Sequence, residues 1–496
     1  MNNSKLYRKT PIMGWASWNR FRTDISENKL KAQADALVST GLAECGYEYF
    51  NMDDGFFGGR DENGKLRFHQ TRFPNGIKVI ADYAHFLGLK AGVYSEGGSR
   101  TCAYYWDNEG ANGDGVGLYG YEEQDLNMFL DEYGFDFIKV DWCGGQKLDL
   151  DEETQYTKIA AIIDEIRRRT GKCKVYNICR WQFPGEWATR IADSWRTGAD
   201  ITPDFNSVVY QIDNIRSLAR FASPGHVNDL DMMQLGNGMN YDEERSHFTM
   251  WCMMSTPLII GCDLTTIDDS TLSILKNREL IAINQDSACL QAYVAKEFFD
   301  TDGELAGEIW IKNLGCDNSN EKAVAFFNRS NKSVRFVASL EDVGLSGRVE
   351  NALDLWNGDC ADVQNGFDII VQPHCTEVIR IKAEMAVEVV NRDDLCDKTV
   401  SEVKYLDISE LEDMMKSGAK LIDVRSEEEY NKSHLHGAIN IPYTESHTLM
   451  RKSNPDKNQP LILYCSVGKR SMQARNLMAY LGYRNLYILK NHIIEN

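Results

Sequence analysis

The chain has 496 residues, more than one ordinary hydrophobic core supports, and this length suggests about three domains. Hydrophobic residues make up 43% of it and aromatic residues 10%, as in packed globular proteins. The formal net charge is −20. A surface of that sign repels phosphate backbones, so we expect no nucleic acid among the partners.

The N-terminal segment has neither the apolar stretch nor the small-residue cleavage site of a secretion signal. No segment approaches the ~20 apolar residues of a membrane span, so we expect a cytoplasmic protein without a membrane partner. The 13 cysteines are odd in number, scattered and without CxxC pairs, which argues against a disulfide framework and against a zinc site. We therefore expect mostly reduced thiols, no metal and no cofactor.

Residues 1–285 alternate short apolar runs with helical stretches, beginning with Pro11–Trp15 and Glu27–Thr40. The further strand candidates are Tyr47–Met52, Lys90–Tyr94, Phe135–Val140, Lys174–Ile178, Trp195–Asp200, His226–Leu230 and Pro257–Gly261. The further helix candidates are Ile77–Leu87, Glu122–Tyr133, Gln155–Thr170 and Glu243–Met254. Strands alternating with helices over this length predict an α/β fold, a (βα)8 TIM barrel.

Residues 286–385 have a different pattern, in which short β-branched and aromatic runs recur between turns. The runs are Ala306–Asn313, Lys322–Asn328, Ser333–Ala338, Phe367–Val371 and Thr376–Ile381. They predict an antiparallel β-sandwich. Residues 386–399 are charged and lack a period, as a linker does. Residues 400–496 form a small α/β unit, with predicted strands Leu421–Val424 and Leu461–Cys465 and predicted helices Ile408–Ser417 and Ser471–Leu481.

The run GFDFIKVDWCGG, residues 134–145, is a buried strand candidate that delivers a carboxylate, Asp141, to the strand's C-terminal end. Barrel enzymes place catalytic groups at that edge. Lys139 precedes Asp141 by two residues and so points to the same side of the strand. A neighbouring cation favours the ionised carboxylate, which a retaining glycosidase uses as its nucleophile. Alone the run is weak evidence, because Asp also ends strands for turn chemistry.

Other polar and aromatic residues fall at the same ends of the predicted barrel strands. They are Trp15, Trp18, Asp53, Asp54, Tyr94, Glu96, Arg180, Trp181, Arg196, Asp200 and Asp231. Tryptophan beside carboxylates indicates a sugar site, because apolar faces of pyranose rings lie on aromatic planes. Adjacent Asp53 and Asp54 offer acceptors for two neighbouring hydroxyls, although a helix cap is the alternative. Cys102 and Cys143 are disulfide candidates if they meet at the barrel mouth.

Residues 9–380 resemble glycoside hydrolase family 27, the α-galactosidase and α-N-acetylgalactosaminidase family. The matching segments are PIMGWASWNRF, YFNMDDGFF, GLKAGVYSEGGSRTC, FDFIKVDWC, DSWRTGADI, NDLDMMQLGN and ERSHFTMWCMMSTPLIIGCDL, and AFFNRS and DLWNG resemble the family's β-sandwich. The resemblance implies hydrolysis of terminal α-linked D-galactose from small oligosaccharides or glycosides through a glycosyl-aspartate intermediate. Asp141 would be the nucleophile and Asp200 the general acid/base. The expected substrate-binding residues are Trp18, Asp53, Asp54, Tyr94, Cys102, Lys139, Cys143, Arg180, Arg196 and Asp231.

A retaining mechanism requires two carboxyls ~5–5.5 Å apart, one ionised and one protonated at the start. Asp141 beside Lys139 suits the ionised role. Asp200 would then need a pKa raised by burial or by the charge of Asp141. Arg196 nearby would oppose that rise, so the distance between Arg196 and Asp200 matters.

Arg180 in CRW departs from the family pattern, in which galactosidases commonly carry Glu and N-acetylgalactosaminidases carry Ser. This position contacts the group at sugar carbon 2. Arginine can donate to a 2-hydroxyl or to an acetamide oxygen, or it can turn away and pair with an acid. α-N-Acetylgalactosaminidase and β-L-arabinopyranosidase activities therefore stay as alternatives, although Asp53 and Asp54 together favour a hexose with a 6-hydroxyl.

The segments LIDVRSEEEYNKSHLHGAINIP and LILYCSVGKRS resemble a rhodanese domain. Cys465 would carry the persulfide, because backbone N–H groups and a helix N-terminus converge on such a loop thiol and lower its pKa. Lys469 and Arg470 would attract an anionic sulfur donor. The unit is short at its C-terminal end relative to that family, so a module that only docks a protein partner is an alternative. A sulfurtransferase, or a sulfur-regulated carbohydrate-binding protein, is the alternative for the whole chain.

Overall fold

The structure is a computed structural model that describes residues 7–388, 403–443, 456–466, 468–480 and 483–490. Most of the predicted linker, residues 386–399, lies outside the described residues, as does the side chain of Lys469. Among the described residues, no helix combines the length and the apolar character needed to cross a membrane.

The first part of the chain forms the predicted barrel. Its strands are β1 (Met13–Ala16), β2 (Tyr49–Met52), β3 (Phe57–Arg60), β4 (Leu66–Phe68), β5 (Lys90–Glu96), β6 (Phe137–Asp141), β7 (Val175–Ile178), β8 (Ser194–Arg196), β9 (Val227–Asp229) and β10 (Leu258–Ile260). Strands β3 and β4 form a separate hairpin, and the other eight pair in parallel in the order β10-β1-β2-β5-β6-β7-β8-β9. Met233, beyond β9, pairs with Ile260 of β10 and completes the ring. All eight predicted strands are confirmed, but the sixth ends at Arg196 rather than at Asp200.

Helices separate the barrel strands. They are Trp18–Phe21, Glu27–Ser39, Lys78–Phe86, Cys102–Trp106, Gly110–Gly113, Glu122–Asn127, Cys143–Lys147, Glu152–Thr170, Phe205–Ile215, Tyr241–Met253, Asp269–Leu275 and Arg278–Asn284, with a π-helical stretch at Met128–Glu132 and 3₁₀ turns at Ala43–Cys45, Glu186–Arg190 and Ala219–Phe221. Polar N-caps fix where several begin. Asp151 accepts the N–H of Thr154, and Asn240 forms a capping box with Glu243.

The β-sandwich follows the barrel. Its strands are β11 (Tyr293–Phe299), β12 (Leu305–Asn313), β13 (Glu321–Asn328), β14 (Val334–Ala338), β15 (Leu345–Asp354), β16 (Phe367–Val371) and β17 (Thr376–Ala386), with a 3₁₀ turn at Glu341–Val343. A five-stranded antiparallel sheet in the order β11-β12-β13-β17-β15 faces the pair β14-β16. The sequence did not predict β11 and β15, because register shifts in both strands interrupt the period-two pattern.

The C-terminal domain is a small parallel α/β unit. Its strands are β18 (Lys404–Leu406), β19 (Lys420–Asp423), β20 (Ala438–Asn440), β21 (Leu461–Tyr464) and β22 (Leu486–Leu489), in the order β18-β22-β21-β19-β20. Its helices are Ile408–Lys416, Glu427–Lys432 and Lys469–Tyr480. The two predicted strands and two predicted helices are confirmed. The unpredicted strands are only three or four residues long, too short to show a clear pattern.

A buried ion pair joins the barrel to the sandwich. The guanidinium of Arg216, just past the helix Phe205–Ile215, contacts the carboxylate of Glu308 on β12, and both side chains are 0% exposed. Arg216 Nη2 also lies 3.0 Å from Glu297 Oε1 on β11. Arg329 Nη2 lies 2.6 Å from Asp213 Oδ2 on the same barrel helix. Charges removed from water in this way need partners, so the two units fold against each other as one body.

The C-terminal domain packs on the barrel near the same helix, Phe205–Ile215, which contacts the helix Lys469–Tyr480. The rings of Tyr210 and Tyr443 meet edge to face with their centres 5.4 Å apart. This contact places the domain beside the C-terminal ends of the barrel strands, where the predicted site residues lie.

Candidate active site

A cavity of about 830 Å³ opens at the C-terminal ends of the barrel strands. It is within the size range of about 300–1,000 Å³ for small-molecule sites. Each barrel residue that the sequence predicts for catalysis or substrate binding lines it: Trp18, Asp53, Asp54, Tyr94, Cys102, Lys139, Asp141, Cys143, Arg180, Arg196, Asp200 and Asp231. The fold therefore brings this predicted set into one site.

Asp141 ends β6 and is 5% exposed. Burial raises the pKa of Asp141 to about 6, and the charge of Lys139 opposes the rise. Lys139 Nζ lies 3.8 Å from Asp141 Oδ2 but 2.9 Å from Asp53 Oδ2, so the cation is shared and its closer partner is Asp53. Asp141 Oδ1 is buried and accepts no hydrogen bond from the described part of the chain. One carboxylate oxygen is thus left for a ligand.

Asp53 and Asp54 follow β2. The next element is strand β3, so neither residue caps a helix that it begins. Asp53 Oδ1 accepts the N–H of Asp54, while Asp54 accepts the N–H groups of Gly55 at 2.8 Å and of Ala103 at 3.1 Å. Burial raises the pKa of Asp54 to about 7, so this carboxyl titrates near neutral pH. The pair forms the polar floor of the cavity.

Aromatic side chains and a disulfide shape the wall beside this floor. The Tyr94 ring lies 5.5 Å from Lys139 Nζ, and its hydroxyl accepts the N–H of Cys102 at 3.3 Å. The guanidinium of Arg22 lies over the ring of Trp18. Cys102 and Cys143 form a disulfide with Cα atoms 5.3 Å apart, which answers the question left open by the sequence. The bond ties the loop after β5 to the loop after β6.

Glu96 lies behind the disulfide and outside the cavity-lining set. It accepts the N–H groups of Gly98 at 2.9 Å and Gly145 at 3.2 Å. Burial and repulsion from Asp141 raise the pKa of Glu96 to about 8. Its carboxylate is close to both disulfide sulfurs. Sulfurs bonded to each other are not thiolate ligands, so this cluster is not a metal site.

Arg196 at the end of β8 holds two carboxylates. Its Nη2 lies 2.8 Å from Asp231 Oδ2 and 3.1 Å from Asp200 Oδ1. Burial raises the pKa of Asp231 to about 6 against the charge of Arg196. The backbone of Asp231 has φ +84°, a conformation that costs energy outside glycine. Hydrogen bonds from the N–H groups of Ile201 and Met232 to its carboxylate hold it there.

Asp200 comes from a loop four residues beyond β8, and its side chain is 61% exposed. The sequence placed it on the strand itself, but the strand is only three residues long. The sequence analysis named burial and the charge of Asp141 as the two possible causes of a raised pKa. Asp200 is only slightly buried, so the first of these causes contributes little. The predicted opposing cation, Arg196, is in direct contact.

Arg180 pairs with an acid, as one of the alternatives for this residue anticipated. Its Nε donates to Glu152 Oε2 at 2.8 Å, at the start of the helix Glu152–Thr170. Arg180 nevertheless lines the cavity. The pair fixes the guanidinium at the cavity wall rather than removing it.

Several lining residues were not predicted. In the barrel they include Trp106, Gln146 and Lys147; the C-terminal domain contributes Tyr405, Ser466, Gly468, Met472, Ile488, Leu489 and Lys490. Trp106 ends the helix Cys102–Trp106, which the sequence analysis did not predict, so no strand-end pattern indicated it. No signal in the sequence indicates that the C-terminal domain reaches the barrel mouth.

In the C-terminal domain, Cys465 follows β21 and is 2% exposed. Its thiol lies 3.7 Å from Ser471 Oγ. Arg470 forms a two-pronged ion pair with Glu429, and this bond holds the pKa of Glu429 at about 2. The charge of Arg470 is thus paired with Glu429, and the side chain of Lys469 lies outside the described residues.

A family model described as alpha galactosidase A matches residues 10–286, and the alpha galactosidase C-terminal beta sandwich domain matches residues 306–381. The chain belongs to this family, glycoside hydrolase family 27. The family assignment from sequence is confirmed, and the protein is a glycoside hydrolase. A rhodanese-like domain model matches residues 407–494, which confirms the second resemblance.

Curated relatives agree with the family assignment. The alpha-galactosidase A of Cellvibrio japonicus is 36% identical over 397 residues, which cover 75% of this chain and 92% of the relative. The alpha-galactosidase of Cyamopsis tetragonoloba is 38% identical over 363 residues, covering 72% and 82%. Among solved structures, alpha-galactosidase I from Mortierella vinacea has a TM-score of 0.68 at 28% identity and covers 78% of this chain and 100% of that one.

Proposed function

We propose that this family member is a retaining exo-glycosidase that releases terminal α-linked D-galactose from small oligosaccharides or glycosides. The observation that carries the proposal is the position of Asp141, a buried carboxylate with one unpartnered oxygen, on the same cavity as Asp200. The activities named for the relatives support the choice of galactose. The structure of the Saccharomyces cerevisiae relative with raffinose, at 26% identity, supports an oligosaccharide as substrate.

In the proposed mechanism, Asp141 Oδ1 attacks the anomeric carbon and forms a glycosyl-aspartate, while Asp200 gives a proton to the departing oxygen. Asp200 then takes a proton from the water that cleaves this intermediate. The exposed position of Asp200 suits that exchange, because both the leaving group and the water arrive from the open side of the cavity. Lys139 stabilises the ionised form of Asp141.

The remaining predicted residues would hold the sugar. In this proposal Asp53 and Asp54 accept hydrogen bonds from the 4- and 6-hydroxyls. Arg196 and Asp231 contact the remaining hydroxyls of the ring. We assign Arg180 to the group at carbon 2, with Glu152 fixing its orientation. A fixed guanidinium donates to a 2-hydroxyl without moving.

Sulfur transfer at Cys465 is not favoured as the main activity. The thiol is almost fully buried, and Arg470 is bound by Glu429, so neither group is presented to an anionic donor.

The test is release of nitrophenol from α-D-galactoside, α-N-acetylgalactosaminide and β-L-arabinopyranoside. We expect hydrolysis of the galactoside and a loss of about 10³-fold or more in Asp141→Asn. Asp164→Asn, on an outer barrel helix, is the matched control and should keep full activity. NMR of the first product should show α-galactose. Preference for another glycone would reassign Arg180, and first release of β-galactose would refute the retaining mechanism.

A further inference from the structure

The cavity that contains the catalytic carboxylates has two ends of different chemistry. The inner end holds the charged groups Asp53, Asp54, Lys139 and Asp231, which suit a ring bearing several hydroxyls. The outer end holds Trp106 and Trp181 from the barrel, and the polar residues Gln146, Lys147 and Gln182 also line the cavity. Trp106 is 72% exposed, so its indole ring is open to a ligand in the cavity.

The C-terminal domain supplies the opposite wall of this outer end. Tyr405, Met472, Ile488 and Leu489 line the cavity, and the polar contributions of the domain come from Ser466 and Lys490. Three of the four larger side chains are aliphatic. Aliphatic walls suit apolar groups better than a second sugar, whose hydroxyls require hydrogen-bond partners.

Tyr405 is the aromatic residue of this wall, and the strand geometry explains its direction. Side chains alternate along β18, so Leu406 enters the core of its own domain and Tyr405 points to the other face. The Tyr405 ring is 50% exposed, and the Lys490 ammonium lies 5.9 Å from its centre. Tyr405 lines the same cavity as Arg180, the proposed carbon-2 contact.

Contacts outside the cavity also hold the C-terminal domain in place. The contact of Tyr443 with Tyr210 and the packing of the helix Lys469–Tyr480 on the helix Phe205–Ile215 fix it to the barrel. The wall is therefore built into the folded protein.

We propose that the C-terminal domain forms the leaving-group part of the glycosidase site, and that its apolar wall favours glycosides with an aromatic or alkyl leaving group over the small oligosaccharides that the proposed function also includes. The inference rests on the proposed function, since the leaving group extends outward from the oxygen that Asp200 protonates. Tyr405 and Trp106 would stack on such a group from opposite sides. The domain would act in substrate selection and need carry out no sulfur chemistry.

The test measures kcat/KM of the full chain on three galactosides that share the sugar and differ in the leaving group. These are nitrophenyl α-galactoside, methyl α-galactoside and the disaccharide galactosyl-α-1,6-glucose. In Tyr405→Ala we expect about a tenfold loss on the nitrophenyl substrate, from one lost aromatic contact, and changes below about twofold on the other two. Inhibition by free galactose should be unchanged, because the inner end is intact.

Tyr487→Ala is the matched control. It removes an aromatic ring from the neighbouring strand β22 of the same sheet, and Tyr487 is not among the residues that line the cavity. It should leave all three substrates unchanged. An equal loss on all three in Tyr405→Ala, or a larger loss on the disaccharide, would overturn the inference, as would no loss at all. A wild-type chain inactive on every galactoside would instead refute the proposed function itself.

Discussion

Lys139→Met tests the electrostatics of the proposed nucleophile. Lys139 Nζ lies 3.8 Å from Asp141 Oδ2, where an ion pair is worth about 4 kcal/mol at an effective dielectric constant near 20. About 1.4 kcal/mol corresponds to one pKa unit, so the full interaction would equal about three units. Because Lys139 is shared with Asp53 and water can enter the space, we expect about one to two units of this to be expressed.

The direction of the shift in the pH profile follows from the charge that Asp141 carries when it reacts. Asp141 must be ionised to attack, and burial already raises its pKa to about 6, so activity should fall as pH drops through that value. Removing the cation raises the pKa of Asp141 further. The acidic limb of the pH profile should therefore move upward, to about pH 7–8.

The assay is kcat/KM on nitrophenyl α-galactoside across the pH range, with the position of the acidic limb as the readout. The plateau value of kcat/KM should also fall because contacts to the sugar are lost, but this loss does not change the pH at which the acidic limb lies. Lys158→Met, whose ammonium lies 2.8 Å from Glu122 on the outside of the barrel, is the control and should keep the wild-type profile. An acidic limb at the same pH in Lys139→Met would refute the reasoning.

Three further predictions follow from buried or fixed groups. Arg216→Ala should lower the free energy of unfolding by about 3–5 kcal/mol, because it leaves carboxylates buried without their cation. Arg335→Ala, at an exposed ion pair, is the control and should lower it by less than about 1 kcal/mol. Denaturant titrations of the two variants measure these values. Reduction of the Cys102–Cys143 disulfide should cost about 2–4 kcal/mol for a link across 41 residues, and equal melting temperatures with and without reductant would contradict this. Glu152→Gln should loosen the guanidinium that it binds and reduce the preference for galactoside over N-acetylgalactosaminide, and an unchanged ratio of the two kcat/KM values would count against the carbon-2 assignment.

The barrel was predictable because its strands are buried on both faces and appear in the sequence as apolar runs that end in polar residues. Asp141 illustrates this: the run Phe137–Val140 fixes the strand, and the strand fixes the carboxylate at the mouth. Asp200 was placed less well. Only three residues of its strand are regular, and a loop then carries the side chain to an exposed position that no local pattern specifies.

The sequence did not show which residues from distant parts of the chain contact each other. The choice of Arg180 between a sugar and an acid depends on Glu152, which the start of the helix Glu152–Thr170 brings to the same wall. The same holds for Tyr405, because its domain is positioned by the contact of Tyr210 with Tyr443 and by the packing of two helices, Lys469–Tyr480 and Phe205–Ile215. Such contacts depend on shape complementarity between units and leave no periodicity in the chain.

The pair of Arg216 and Glu308 also bears on how the chain folds during its synthesis. Arg216 belongs to the barrel, which leaves the ribosome first, whereas Glu308 lies on β12 and is made later. N-terminal domains generally begin to fold as they emerge. Within the barrel Arg216 already pairs with Asp213, 3.3 Å away, but Glu297 and Glu308 do not yet exist, so the complete set of ion pairs forms only after the first strands of the sandwich have been translated.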